Sequence, residues 1–155
     1  MALKVIDRIQ TGHKKRSLSI LIVEDHAIVR HALAEAMRTA GYNVFAAAHG
    51  RVALQILETV RIHVVFLDIR IPPPDGYAIL EVIQRRKTSW KGFPYSIVIS
   101  WSNGEGNLRR MKELGANEFL PKPFRVPVVL ERVELFKRRL VATDQGFHFQ
   151  GAAEA

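Results

Sequence analysis

Short apolar runs that end in acidic residues are the feature that most constrains the fold of this 155-residue chain. The run 19–23 ends in Glu24 and Asp25, and the run 63–67 ends in Asp68. A short apolar run bounded by polar residues is typical of a buried strand in a parallel sheet. Because ligand crevices of open α/β sheets lie beyond the carboxyl ends of the strands, we expect these acids to share one crevice. Crowded carboxylates resist ionisation unless a cation or proton lies between them, so the pattern indicates a divalent metal site.

Two further apolar runs end in residues that suit phosphoryl chemistry. The run 95–99 leads into Ser100, and the run 117–121 leads into Lys122. A lysine and a hard cation neutralise phosphate oxygens, a hydroxyl donates to one of them, and a carboxylate can attack phosphorus. The expected crevice therefore has the side chains needed to receive a phosphoryl group.

Amphipathic helical stretches separate the apolar runs, and the alternation of strand and helix occurs five times. This order is typical of a parallel α/β sheet. The last helix is predicted to begin at Pro127, which is acceptable at a first helical position. Its Val129, Val133, Phe136 and Leu140 follow helical spacing and predict a buried face.

Composition indicates one globular domain without disulfides. The chain is 48% hydrophobic and 25% charged, which is typical of soluble domains. No apolar run approaches the roughly 20 residues that span a bilayer, and the first residues lack the apolar segment of a secretory signal. The absence of cysteine excludes disulfides, thiolate metal sites and thiol catalysis. We therefore expect a cytoplasmic protein that does not associate with a membrane.

The net charge of +8 raises the question of a nucleic-acid partner. Residues 1–16 contain five basic residues and one acid, and so hold half of the excess. The other basic clusters, at 85–87, 109–112 and 137–139, lie near predicted helix ends or on helix faces, where cations suit the helix dipole. We interpret this charge as solvated surface; an acidic protein face or nucleic acid stays open as a partner, and nucleic acid is the less favoured of the two.

The motifs taken together resemble those of response-regulator receiver domains from two-component signalling. Glu24 and Asp25, the segment 68–76, Ser100 and the segment 115–124 occur in the order typical of that family. The resemblance implies a doubly wound (βα)5 flavodoxin-like sandwich of three layers. Its five-stranded parallel sheet would have the order 2-1-3-4-5.

The same resemblance divides the chain into three parts. Residues 1–17 are predicted to form a flexible basic leader, residues 18–142 the receiver domain, and residues 143–155 a flexible tail. Response regulators commonly fuse a receiver to a DNA-binding or enzymatic output domain, and we find no pattern of a second domain. Unless the chain is a fragment, we expect its output to be a contact with another protein.

The resemblance also implies a role for each acid and for the lysine. Asp68 would be the phosphoacceptor. Glu24, Asp25, Asp68 and the backbone carbonyl of Arg70 would hold Mg2+ or Mn2+. Lys122 would pair with a phosphoryl oxygen, and the peptide bond to the proline that follows it would be cis.

Further residues would form the switch and tune access to it. In the family, the residue at Ser100 donates to the phosphoryl group and the aromatic at Phe119 rotates inward. Trp101 departs from the family, which usually has a small residue there, and its indole would narrow donor access or contact a partner. Arg70 and Ser102 occupy positions that modulate the lifetime of the acyl phosphate.

These residues predict a signalling switch rather than a general enzyme. A histidine kinase or phosphotransfer protein would phosphorylate Asp68, and the face formed by the fourth helix, fifth strand and last helix would change for a downstream protein or a second copy in a homodimer. Three alternatives stay open: a receiver fragment of a DNA-binding regulator, a receiver that signals without phosphate, and a phosphohydrolase with an aspartyl nucleophile. The phosphohydrolase is disfavoured because Arg70 stands where haloacid-dehalogenase-like phosphatases have a second acid.

Overall fold

The computed structural model of the chain describes residues 17–90, 94–101 and 104–144. Within them, strands and helices alternate five times, as the sequence predicts. The predicted leader (apart from its last residue), the tail beyond residue 144, and Ser102 lie outside the described residues. The elements are β1 Ser19–Val23, α1 Ala27–Thr39, β2 Asn43–Ala47, α2 Gly50–Thr59, β3 Val64–Asp68, α3 Gly76–Arg86, β4 Tyr95–Ser100, α4 Glu105–Glu113, β5 Glu118–Pro121 and α5 Val126–Asp144.

The five strands form one parallel sheet in the order β2-β1-β3-β4-β5. This confirms the predicted fold class and strand order. Val23 pairs with Leu67, Leu67 with Val98, and Val98 with Phe119. The last residues of β1, β3, β4 and β5 are therefore nearly level, and the residues that follow them meet at one edge of the sheet.

Alternate residues of the central strands face opposite layers of helices, because side chains in a strand point to the two faces in turn. Ile20 and Ile22 belong to a core with α1 and α5. Leu21 and Val23 belong to a second core with α2, α3 and α4. All residues of β1, β3 and β4 are buried, so the sheet is the middle of three layers.

Helix α5 is longer at both ends than predicted. It begins at Val126, so that Pro127 is its second residue, and it continues to Asp144, two residues past the predicted end of the domain. A proline costs little there because the first four amide groups of a helix lack partners within it. Val129, Val133 and Phe136 are buried as predicted. None of the helices in the described ranges is long and apolar enough to cross a membrane.

Two glycines let the connection after β3 fold back tightly. A Cβ atom at Gly76 would lie 2.5 Å from the Cα of Ile69, and one at Gly50 would lie 1.8 Å from the carbonyl oxygen of Pro74. The Gly76 amide donates to the Ile69 carbonyl at 3.0 Å, and the Gly50 amide donates to the Pro72 carbonyl at 3.2 Å. The loop that follows Asp68 therefore packs directly on the start of α2.

Candidate functional site

Three carboxylates from two strand ends converge at the carboxyl edge of the sheet. Glu24 and Asp25 follow β1, and Asp68 is the last residue of β3. Each offers one oxygen, and these oxygens lie within 4.8 Å of one another. Glu24 and Asp68 are buried, whereas Asp25 is exposed. The structure therefore brings together the acids that the sequence placed in one crevice.

Lys122 joins this cluster from the end of β5. Its Nζ lies 2.6 Å from Oε2 of Glu24 and 2.7 Å from Oδ2 of Asp68, and all three side chains are buried. Its amide donates to the Ser100 carbonyl at 2.9 Å, which ties it to the end of β4. The peptide bond between Lys122 and Pro123 is cis, as predicted.

The two carboxylates keep the Lys122 side chain charged. Burial acts to lower the pKa of its ammonium group, but hydrogen bonds to Asp68 and Glu24 outweigh it, and the pKa lies above its ordinary value. Lys122 is therefore a permanent cation at neutral pH, and it offsets part of the charge of the three acids.

Glu24 is the most deeply buried acid of the cluster. Burial raises the pKa of its carboxyl group, although the hydrogen bonds from Lys122 and from the His26 amide oppose this effect. The His26 amide donates to Oε1 of Glu24 at 3.0 Å. The orientation of this side chain is thus defined by one partner on each oxygen.

Asp68 has both carboxylate oxygens engaged. Oδ1 accepts from the Arg70 amide at 2.9 Å, and Oδ2 accepts from Lys122. Asp68 as a whole residue is 4% exposed, whereas Arg70 is exposed. Backbone and ammonium donors therefore hold Asp68 at the floor of the crevice.

The remaining predicted site residues lie around the end of β4. Ser100 is fully buried, and Trp101 directly after it is 62% exposed. Phe119, which pairs with Val98 in the sheet, is half-buried against the core beside α2, α3 and α4. The structure thus places a buried hydroxyl and an exposed indole on adjacent residues.

Sequence reasoning missed Arg30. Its Nη1 donates to the backbone carbonyl of Glu24 at 2.9 Å and to that of Asp25 at 3.2 Å. A signal was available, because a cation in the first turn of a helix opposes the helix dipole and suggests a specific partner. Its partners are backbone atoms, however, and a side-chain pattern does not reveal them.

The donor set fits a hard divalent cation. Mg2+ and Mn2+ prefer carboxylate and carbonyl oxygens, and three carboxylate oxygens lie within 4.8 Å of one another here. Asp25 is exposed, so one of these candidate ligands faces solvent, from which a hydrated ion would arrive.

Comparison with known proteins identifies the family. The sequence profile of the response regulator receiver domain matches residues 20–134. The chain belongs to the response regulator receiver family. Receiver domains are phosphoryl-accepting signalling modules of two-component systems, with phosphoaspartate and a Mg2+-binding acidic pocket as general features.

Individual relatives of this receiver differ in how much of their length it covers. It is 34% identical over 118 residues to Sporulation initiation phosphotransferase F of Bacillus subtilis, which covers 76% of this chain and 91% of that protein. It is 30% identical over 125 residues to Response regulator MprA of Mycolicibacterium vanbaalenii, which covers 81% of this chain and 52% of that protein. The chain thus spans about half the length of MprA.

Solved structures show the same fold. The chemotaxis protein CheY4 of Vibrio cholerae is 25% identical and has a TM-score of 0.71. The similarity covers 77% of this receiver and 98% of that chain. The order of strands and the two helical layers are therefore those of an established receiver fold.

Proposed function

We propose that this receiver is a phosphorylation-controlled interaction switch in which Asp68 accepts a phosphoryl group from the phosphohistidine of a histidine kinase or phosphotransfer protein. One observation carries the proposal: the Lys122 ammonium bridges Asp68 and Glu24, with Asp25 within reach of both acids. The family membership supports a signalling role. The name of the phosphotransferase relative agrees with phosphoryl transfer. Without cysteines, the chain suits the reducing cytoplasm, where we place this switch.

The transfer exchanges one bond for another. A carboxylate oxygen of Asp68 attacks phosphorus and forms the acyl phosphate, while the phosphorus–nitrogen bond breaks and its electron pair returns to the imidazole of the donor. Lys122, held cationic by its two carboxylates, neutralises a phosphoryl oxygen as it arrives. Glu24, Asp25, Asp68 and the Arg70 carbonyl would hold Mg2+ or Mn2+, which when bound supplies further positive charge to the phosphoryl oxygens. Hydrolysis of the acyl phosphate by water later restores Asp68.

The output would pass through β4 and β5. A phosphoryl group on Asp68 accepts a hydrogen bond from the buried Ser100 hydroxyl, and Phe119 on the neighbouring strand moves inward. That movement alters the face formed by α4, β5 and α5, which would contact a downstream protein or a second copy of this chain. The half-buried position of Phe119 supports this role, because a side chain at the edge of a core has room to rotate.

Two exposed side chains would set how readily the acyl phosphate forms and decays. Trp101 is exposed directly after Ser100, and the Arg70 side chain is exposed two residues after Asp68. We propose that the indole limits access of donors and that the guanidinium shields the phosphoryl group from water. We propose that Ser102, like Arg70, modulates the lifetime of the acyl phosphate.

The test is phosphorylation by a small donor. The full chain is incubated with Mg2+ and acetyl phosphate or phosphoramidate, and the intact mass is measured. The wild type should gain the mass of one phosphoryl group, and Asp68→Ala should gain none. Asp75→Asn is the matched control, because this exposed aspartate caps α3 in the same connection through its hydrogen bond to the Ala78 amide.

Two results would contradict the proposal. Equal labelling of the wild type and Asp68→Ala would remove Asp68 from its role. Absence of labelling in the wild type with every donor would favour a receiver that signals without phosphate.

Simple observations distinguish two other functions from the proposed switch. The matching regulators include Probable transcriptional regulatory protein SilR of Salmonella typhimurium, 30% identical, with 79% of this chain and 52% of that protein covered. This favours a second candidate, the receiver part of a DNA-binding regulator, which a reading frame that continues past residue 155 would show. Turnover of a general phosphomonoester would instead support the alternative of a phosphohydrolase.

A further inference from the structure

The backbone of the acidic loop, residues 24–26, has few attachments of its own. The Glu24 amide donates to the Ala47 carbonyl at 3.1 Å and so extends the pairing of β1 with β2. Beyond that residue, the sheet no longer determines the path of the chain, and His26 at the start of α1 makes no side-chain cap hydrogen bond. A further contact is therefore needed to orient the two peptide groups that contain the carbonyls of Glu24 and Asp25.

Arg30 provides that attachment. It is the fourth residue of α1, and side chains of a helix lean toward its N-terminus, so a long side chain from this position extends back over the loop. A guanidinium nitrogen has two N–H groups, and Nη1 of Arg30 donates to the carbonyls of both Glu24 and Asp25. The half-buried Arg30 thus connects the helix to two consecutive peptide groups.

These contacts determine where the carboxylates point. In a planar trans peptide group the N–H points opposite to the carbonyl, so a contact that defines the carbonyl direction also defines the direction of the amide in the same group. The plane after Glu24 carries the Asp25 amide, and the plane after Asp25 carries the His26 amide that donates to Oε1 of Glu24. The Arg30 hydrogen bonds therefore orient the donor to one acid and the backbone of the other.

We infer that Arg30 is a positioning residue that holds the acidic loop so that Glu24 and Asp25 face Asp68, and that it thereby strengthens the binding of a divalent cation. The inference rests on the proposed function in one respect, namely that the cluster binds such a cation. Mutation of a residue that hydrogen-bonds to a metal-binding residue and orients it typically weakens metal binding by about 10-fold to 100-fold.

Electrostatics alone requires the opposite effect. A guanidinium group near three carboxylates repels a second cation, so its removal would tighten metal binding. Positioning and repulsion therefore differ in the sign of the change. Two substitutions separate them: Arg30→Met removes the charge and the donors, whereas Arg30→Lys keeps the charge on a shorter side chain without the planar fork.

The experiment measures Mg2+ affinity by titration calorimetry and amide hydrogen exchange at His26 in metal-free protein, both on the full chain. We expect Arg30→Met and Arg30→Lys each to weaken Mg2+ binding by about tenfold or more, and to speed exchange at His26. Arg38→Met is the matched control, because Arg38 lies on the same helix and pairs only with the exposed Glu35 among described side chains. It should leave both measurements at wild-type values.

Several outcomes would overturn the inference. Tighter binding in Arg30→Met with unchanged binding in Arg30→Lys would show that only the charge matters. Unchanged exchange at His26 in both variants would show that the loop is held without Arg30. A lower urea midpoint in chelator with an unchanged Mg2+ dissociation constant would show a purely structural role. If the wild type bound no Mg2+, the cation site of the proposed function would fail, and exchange at His26 would still decide whether Arg30 positions the loop.

Discussion

At the scale of single residues, the site depends on charges that are buried together. Lys122, Glu24 and Asp68 have side chains that are 6%, 0% and 5% exposed. Removal of one member of such a group is costly because the partners keep their charge without compensation. Exposed pairs such as Arg85 and Glu81, 3.7 Å apart, are screened by water and contribute little.

The first prediction concerns Lys122→Met. In chelator, we expect the free energy of unfolding to fall by about 3–5 kcal/mol, because Glu24 and Asp68 lose their shared cation. Saturating Mg2+ should recover part of this loss, since a metal bound there would supply positive charge to the same carboxylates. Urea denaturation with and without Mg2+ measures both effects. Arg85→Met is the control and should change stability by less than about 0.5 kcal/mol; an equal loss in both variants would contradict the assignment of a buried charge cluster.

The second prediction concerns pH and His63. Its Nδ1 accepts from the Ser19 amide at 3.0 Å. Burial lowers its pKa, and the Arg61 charge lowers it further. Since the unfolded chain then binds the proton more readily than the folded one, this contribution to stability is complete above the ordinary pKa of 6.5 and is lost as the pH falls below it.

Urea midpoints between about pH 5 and pH 8 test the His63 prediction. The wild type should lose stability at the acidic end. His63→Gln replaces the imidazole by a neutral acceptor and should show a shallower decline. An identical pH profile for the two proteins would contradict the assigned role of His63.

At the scale of elements, the loop after β3 is positioned by close backbone contacts together with its buried Ile69 and Ile71 side chains. The start of α2 lies against the prolines of this loop, and only glycine leaves room at residue 50. The same connection contains Arg70, whose amide donates to Asp68. This hydrogen bond therefore depends on the contact between the loop and α2.

The third prediction compares two glycines. Gly50→Ala should lower the free energy of unfolding by about 1–3 kcal/mol, because the new methyl group meets the Pro74 carbonyl and the backbone must shift. Gly106→Ala in α4 is the control, since nothing lies within 4 Å of its added Cβ. Alanine is the better helix former, so this variant should gain about 0.5–1 kcal/mol. Thermal or urea unfolding measures both, and a neutral Gly50→Ala would show that the loop has room to move.

At the scale of the whole molecule, the site is shared among elements that are distant in sequence. Lys122 and Glu24 are 98 residues apart, and Lys122 and Asp68 are 54 apart. A cation that binds this cluster binds only the folded chain, since the unfolded chain does not bring the carboxylates together. Metal binding and global stability are therefore linked.

The fourth prediction follows from this linkage. Above the dissociation constant, each tenfold increase in Mg2+ should add about 1.4 kcal/mol to the free energy of unfolding. Asp25→Asn should shift the onset of this dependence to higher Mg2+ concentrations with little change in chelator, because Asp25 is exposed. Urea denaturation across a Mg2+ series measures the concentration at which stabilisation begins. The same onset for the wild type and the variant would argue against Asp25 as a ligand.

Local patterns were sufficient to predict the strands, the helices and the acids at the strand ends. The reason is that apolar runs, helical spacing and the residue after a strand are properties of short segments. Strand order and the family resemblance then placed Asp68 and Lys122 at the same edge, and their side chains are hydrogen-bonded in the structure. The predicted start of α5 was wrong by one residue, because proline is tolerated throughout the first helical turn.

What the amino-acid sequence determined by itself is therefore the layered sheet and the set of residues at its edge, because both follow from periodicity along the chain. Only the tertiary structure decided how those residues are connected: the ammonium of Lys122 shared between two acids, and Arg30 bonded to the carbonyls of the acidic loop. These contacts depend on where atoms of separate elements come to lie, and in the case of Arg30 the partners are backbone groups that every residue has. No pattern of side chains encodes them, so packing in three dimensions had to reveal them.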